Sequence, residues 1–187
     1  MQKILLIAVF ALLVCANLAD AQTSTPSLPG QPPPAAPSVP AAPQYGCDSP
    51  ESRQFDFWLG DWHFASQGSK GINRVTKILG GCVVFEQFGD GTANTLNGQS
   101  FSTYDRATKK WKQTWVDNTA SYLDFTGGMV DGKMILTREA TVAAKKVLQR
   151  MVWFNIEKEQ FNWNWERSDD TGATWKVLWA IEYKRAK

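Results

Sequence analysis

Beyond Asp61, apolar and polar side chains alternate with a period of two, and this limits the fold more than any other feature of the chain. Side chains on a strand point to opposite faces in turn, so the pattern asks for half-buried strands. Trp62 and Phe64 share one face, Asp61 and His63 the other. Further strand-like runs follow at 72–79, 82–88, 99–105, 111–117, 121–126, 134–139, 147–156, 161–167 and 175–183. Turn signals punctuate them: 68–71, Gly80-Gly81, Gly89-Asp90-Gly91, 105–109 and the hairpin dipeptide Asp131-Gly132. About ten short strands with no helical period between them predict an all-β protein, an antiparallel meander. A meander leaves two exposed edges, and closing it into a barrel removes them. Roughly eight to ten strands leave an interior wide enough for side chains and one small ligand.

The segment leading into this pattern, 53–64 (RQFDFWLGDWHF), carries five aromatic residues. Asp48-Ser49-Pro50-Glu51 has the form of a helix start, with Asp48 as cap, Pro50 in the first turn and Glu51 closing a capping box. Phe55, Trp58 and Leu59 follow at helical spacing. The expectation is a short N-terminal plug helix that turns at Gly60 into the first strand.

Upstream the composition changes twice. Residues 1–21 read as a secretory signal peptide, with Lys3, an apolar run at 4–16 and the small-x-small site Ala19-Asp20-Ala21. The run is shorter than the roughly 20 residues of a membrane-spanning helix, so the mature chain is expected to have no transmembrane segment. Cys15 also suggests lipid attachment, but Val14 before it is bulky. Residues 22–46 hold most of the nine prolines and read as a Pro/Ala-rich disordered linker. The domain is expected over 47–187, exported to the periplasm or the extracellular space. In that oxidising setting Cys47 and Cys82 read first as a disulfide. It would close a loop of about 36 residues, for which chain entropy gives roughly 4 kcal/mol. Two buried free thiols are the alternative.

The faces of the strands suggest where a ligand would sit. Trp111, Gln113, Trp115 and Asp117 share one face. Phe161, Trp163, Trp165 and Arg167 share another, as do Trp175, Val177, Trp179, Ile181 and Tyr183. A purely structural interior avoids polar groups, because an unpaired buried one costs about 1–3 kcal/mol. Gln113 and Asp117 between tryptophans instead resemble the few convergent polar groups of a small-molecule site. A core hydrogen-bond network is the other reading. Trp115, Trp163 and Trp165 are the expected walls, and Gln113 and Asp117 the orienting groups. Arg74, Glu86 and Arg138 are further charged candidates for the interior, with a solvated strand position as the plainer reading of each.

Two resemblances attach to these residues. Gly60-Asp61-Trp62 after a short helix, with Arg185 past the last strand, resembles the calycin superfamily of lipocalin-like barrels. There the tryptophan stacks on such an arginine, and the resemblance implies binding of small apolar molecules or lipids. One relative binds haem through a histidine, which here would have to be His63, on the outward face. Separately, FDFWLGDW (55–62), ILGGC (78–82), QTWVDN (113–118) and SDDTGATW (168–175) resemble an uncharacterised family of secreted bacterial proteins. That likeness implies no activity.

Other chemistry is weakly supported. The net charge of +2 and the lack of a basic run exclude nucleic acid and anionic membrane as natural partners. No phosphate loop, Cys-x-x-Cys pair or H-E-x-x-H appears, so no cofactor and no metal are expected. Glu86, Asp117, Asp124 and Glu166 are available for the paired carboxylates of glycoside hydrolysis, but period and spacing single out no pair. Ser168 to Trp175 fits an Asp-box, which is itself a hairpin turn and needs several copies to build a propeller. The expected function is an exported barrel that binds a small apolar or aromatic ligand. The alternatives are a solid-cored structural protein of the envelope and a carboxylate-dependent hydrolase. Oligomeric state is left open.

Overall fold

Ten strands carry the alternation. The computed structural model describes residues 46–66 and 69–187. The signal-peptide and linker readings fall on residues 1–45, outside the described residues. The strands are β1 (Gly60–Ser66), β2 (Ser69–Ile78), β3 (Val83–Phe88), β4 (Gly98–Asp105), β5 (Lys110–Asp117), β6 (Tyr122–Val130), β7 (Lys133–Val142), β8 (Lys145–Phe154), β9 (Gln160–Ser168) and β10 (Lys176–Arg185). Each pairs antiparallel with the next, and β10 pairs back onto β1, so the meander closes into a barrel. At the seam Trp62 stands opposite Arg185 and Phe64 opposite Tyr183. Trp62, Phe64 and Ser66 are buried while Asp61, His63 and Ala65 face solvent, as period two requires. No helix among the described residues is long and apolar enough to cross a membrane.

One end of the barrel is sealed by the segment before β1. In place of the expected α-helix it makes two single 3₁₀ turns, Glu51–Arg53 and Asp56–Trp58. Ser52, Phe55 and Trp58 are all buried, and their spacing of three is the 3₁₀ period, which stacks such residues on one face. Ser49, rather than Asp48, serves the first turn: its hydroxyl accepts from the Ser52 N–H at 3.2 Å. Phe55 lies edge-on to Trp111 at 4.8 Å and to Trp153 at 5.3 Å between ring centres, and Trp62 edge-on to Phe161 at 4.7 Å. A Cys47–Cys82 disulfide ties the start of this segment to the β2–β3 turn. The Arg185 guanidinium lies 4.1 Å from the centre of the Trp62 ring and donates to the Leu59 and Lys158 carbonyls at 3.0 and 2.9 Å. Gly60 is needed beneath it: its φ is +119°, and a Cβ there would come within 2.5 Å of Arg185 Nη1.

Two local readings are corrected. Gly71 belongs to β2 rather than to a turn over 68–71. The Phe64 ring lies across it, and a Cβ would meet that ring at 2.6 Å, so the glycine serves close packing. In β10 a bulge between Val177 and Trp179 shifts the register. Trp179, Ile181 and Tyr183 therefore keep the inner face, while Val177 pairs with Glu166 and is half exposed. Trp175 lies under the Arg150 guanidinium, 3.8 Å from its ring centre. The Asp-box is a hairpin turn: Gly172 N–H donates to Ser168 Oγ at 2.8 Å, and Thr174 N–H to Asp170 Oδ1 at 2.9 Å.

Candidate functional site

Above the sealed end the barrel is hollow. A cavity of about 180 Å³ lies between Trp58 and Trp153 at the closed end and Phe88, Leu96, Asp117, Trp165 and Trp179 toward the opposite end. Six of the nine tryptophans line it: Trp58, Trp115, Trp153, Trp163, Trp165 and Trp179. Apolar cavities of about 150 Å³ stay dry and hold a molecule the size of benzene. This volume therefore suits one ring or a short chain.

The walls come from strands whose inner positions are aromatic. Trp163 and Trp165 alternate along β9, with Trp163 edge-on to Trp179 at 5.5 Å and Trp165 edge-on to Phe125 at 5.6 Å. Trp179 donates its indole N–H to Ser66 Oγ at 2.6 Å, and Ser66 donates in turn to the Ala180 carbonyl at 2.6 Å. Trp115 donates to Asp117 Oδ2 at 2.8 Å. Gly98 leaves room for the Trp115 ring, whose Cζ2 would lie 2.1 Å from an added Cβ. At the mouth the loop carrying Leu96 is pinned to the β5–β6 turn, where Asn118 donates to the Thr95 carbonyl at 2.8 Å. The buried indole N–H groups of Trp58 and Trp153 have no partner among the described residues.

The polar group in the wall is Glu86. It is buried on β3, where Asn73 Nδ2 donates to Oε1 at 2.8 Å and Ser100 Oγ to Oε2 at 2.6 Å. Burial outweighs those two hydrogen bonds and pushes its carboxyl up to about 7. Tyr183, also in the wall, is raised well above the ordinary tyrosine range, by burial first and then by the Glu86 charge. Asp117 behaves in the opposite way. Desolvation raises it, but hydrogen bonds from Thr119, Trp115 and Ser121 overcome that and hold it at about 2. One cavity thus holds two carboxyls whose ionisation is driven apart.

The structure brings Trp115, Asp117, Trp163, Trp165 and Glu86 to this cavity. Gln113 is buried but does not line it. Its amide donates to Ser102 Oγ at 2.8 Å, while its own oxygen has no partner. Arg74 lies on the outer face of β2, 3.6 Å from Asp61 and more than half exposed. His63 is exposed on β1. Among the described residues no group of three or more His, Cys, Asp or Glu side chains is placed to hold a metal ion. Sequence reasoning missed Trp58 and Trp153 as lining. The signal for Trp58 was its spacing of three from Phe55; for Trp153 it was the alternation of Met151 and Trp153 on β8. The barrel interior is compatible with holding a small ligand. Comparison with protein-family models and with curated proteins gives no match for the chain.

Proposed function

We propose that the protein is an exported, calycin-like barrel that holds one small apolar or aromatic molecule among its tryptophans. The observation that carries this reading is the cavity of about 180 Å³ with six indoles in its walls. A barrel serving only as a scaffold gains by filling such a space, since each lost contact in a core is felt. The Trp62–Arg185 stack behind a Gly-x-Trp, with a plug of short turns before it, supports the calycin-like assignment. The disulfide supports an oxidising compartment. Trp115, Trp163 and Trp165 form walls in this reading, with Glu86 and Asp117 as the polar groups. Titration of the purified domain with one-ring aromatic probes, read by tryptophan quenching and native mass, tests it. Saturable quenching with a mass shift of one probe is expected, and none with any probe would defeat the reading.

A second reading, a carboxylate-dependent hydrolase, draws on the contrast between Glu86 and Asp117, since acid–base pairs are built from carboxyls pushed apart in this way. It is weaker because Asp117 is occupied. Oδ1 accepts from the Thr119 and Ser121 N–H groups at 2.8 and 3.2 Å, and Oδ2 from Trp115. Turnover of nitrophenyl glycosides that both Glu86→Gln and Asp117→Asn abolish would favour it.

A further inference from the structure

The charge of the cavity narrows what it would hold. Among the described residues its lining includes two carboxyls, Glu86 and Asp117, and no lysine, arginine or histidine. Arg138 on β7 stacks over Phe125, 5.8 Å from the ring centre, and donates to Gln149 rather than lining the cavity. Glu86 has no basic partner in the barrel among the described residues: its hydrogen bonds come from the neutral side chains of Asn73 and Ser100. A buried carboxylate without a counter-charge is costly, and two neutral donors offset only part of the loss. The aromatic rings that line the same cavity carry negative faces, which attract cations, tryptophan most strongly. A carboxylate-bearing guest would meet repulsion here, and a neutral one would leave Glu86 uncompensated.

We infer that the ligand is a small organic cation, an aromatic or alkyl amine whose nitrogen is the counter-ion of Glu86 and whose hydrocarbon part lies among the tryptophans. This rests on the ligand-binding reading above and adds the sign of the charge to it. The groups facing Glu86 are Asn73 on β2, Ser100 on β4 and Tyr183 on β10. Asp117, the other carboxyl of the lining, is held ionised by its own hydrogen bonds. Glu86 is therefore the group whose protonation would compete with an amine near neutral pH.

Three one-ring probes of matched size test this with the full domain: benzylamine, benzyl alcohol and benzoate, each titrated at pH 6 and pH 8. A charge-assisted contact in a desolvated site corresponds to about tenfold or more in affinity. Benzylamine should bind at least about tenfold more tightly than benzyl alcohol at pH 8, benzoate should be the weakest, and the preference should shrink at pH 6. Glu86→Gln keeps an acceptor for Asn73 and should erase the preference, read as the ratio of the benzylamine and benzyl alcohol affinities within that variant. The comparison of wild type at two pH values stands even if that variant does not fold. Equal binding of amine and alcohol at pH 8 would overturn the cation and leave a neutral-ligand barrel. Binding of no probe would overturn both readings.

Discussion

Where β1 begins, tryptophans are sealed away; where β5 ends, they stand half open around the cavity. Trp62 is fully buried, its N–H given to the Trp58 carbonyl at 2.8 Å and its face covered by Arg185. Trp163, Trp165 and Trp179 are only partly buried, and they border the cavity. The same side chain closes the barrel at one end and borders the cavity at the other. What differs is the filling. At the sealed end Phe55 and Trp58 bring two further rings inside, whereas among the described residues the loop at the mouth adds Leu96 and no ring to the lining.

The sharpest way to break that contrast is to truncate one ring from each end. Trp62→Ala should cost about 3–5 kcal/mol of stability in urea unfolding, the range for a fully buried aromatic. Trp165→Ala should cost under about 2 kcal/mol, because the ring is half buried, and should weaken probe binding instead. Equal costs would mean that the mouth is as much a core as the floor. Replacing both Cys47 and Cys82 by serine should remove about 2–4 kcal/mol. Probe quenching at the mouth should persist in that variant, since the bridge ties down only the sealed end.

Glu86 sharpens the comparison through pH. Its carboxyl is raised to about 7 in the folded barrel from an ordinary 4.5, so the folded state binds the extra proton between those values. Stability is then full below about 4.5 and is lost as pH rises through about 7. The loss above pH 7 is on the order of 3 kcal/mol. Glu86→Gln should remove this slope and leave the variant more stable than wild type at pH 8. Chemical unfolding at pH 5, 6, 7 and 8 reads it directly, and an unchanged slope would place the titration elsewhere. The smallest effect is expected at Arg74, where removing an exposed pair with Asp61 should change stability by less than about 0.5 kcal/mol and leave binding untouched.

Much of the barrel was legible because period two states which side chains turn inward. All ten strands lie where alternating runs were expected, with ends displaced by a few residues. Alternation fails where the backbone breaks step. The bulge between Val177 and Trp179 takes Val177 off the inner face, and nothing in the order of apolar residues announces it. Gly71 reads as a turn because a glycine kept for ring packing looks like any other glycine. For the candidate site, alternation placed Trp115, Asp117, Trp163 and Trp165 inside, and Glu86 shares its inner face with Val84 and Phe88. Depth was beyond it. Gln113 has the same parity as Trp115, yet its amide ends against Ser102 outside the cavity lining. Arg74 could have been set aside, since Asn73 and Val75 on either side of it are the buried ones.

The seam between β1 and β10 has a consequence for synthesis. The first strand to leave the ribosome waits for the last, so no nascent chain can form the ring until Arg185 has emerged. Until then two ladders of backbone amides lie open to other chains, and a product stopped before β10 would keep them open permanently. Truncation in that region should therefore yield aggregates rather than a smaller barrel.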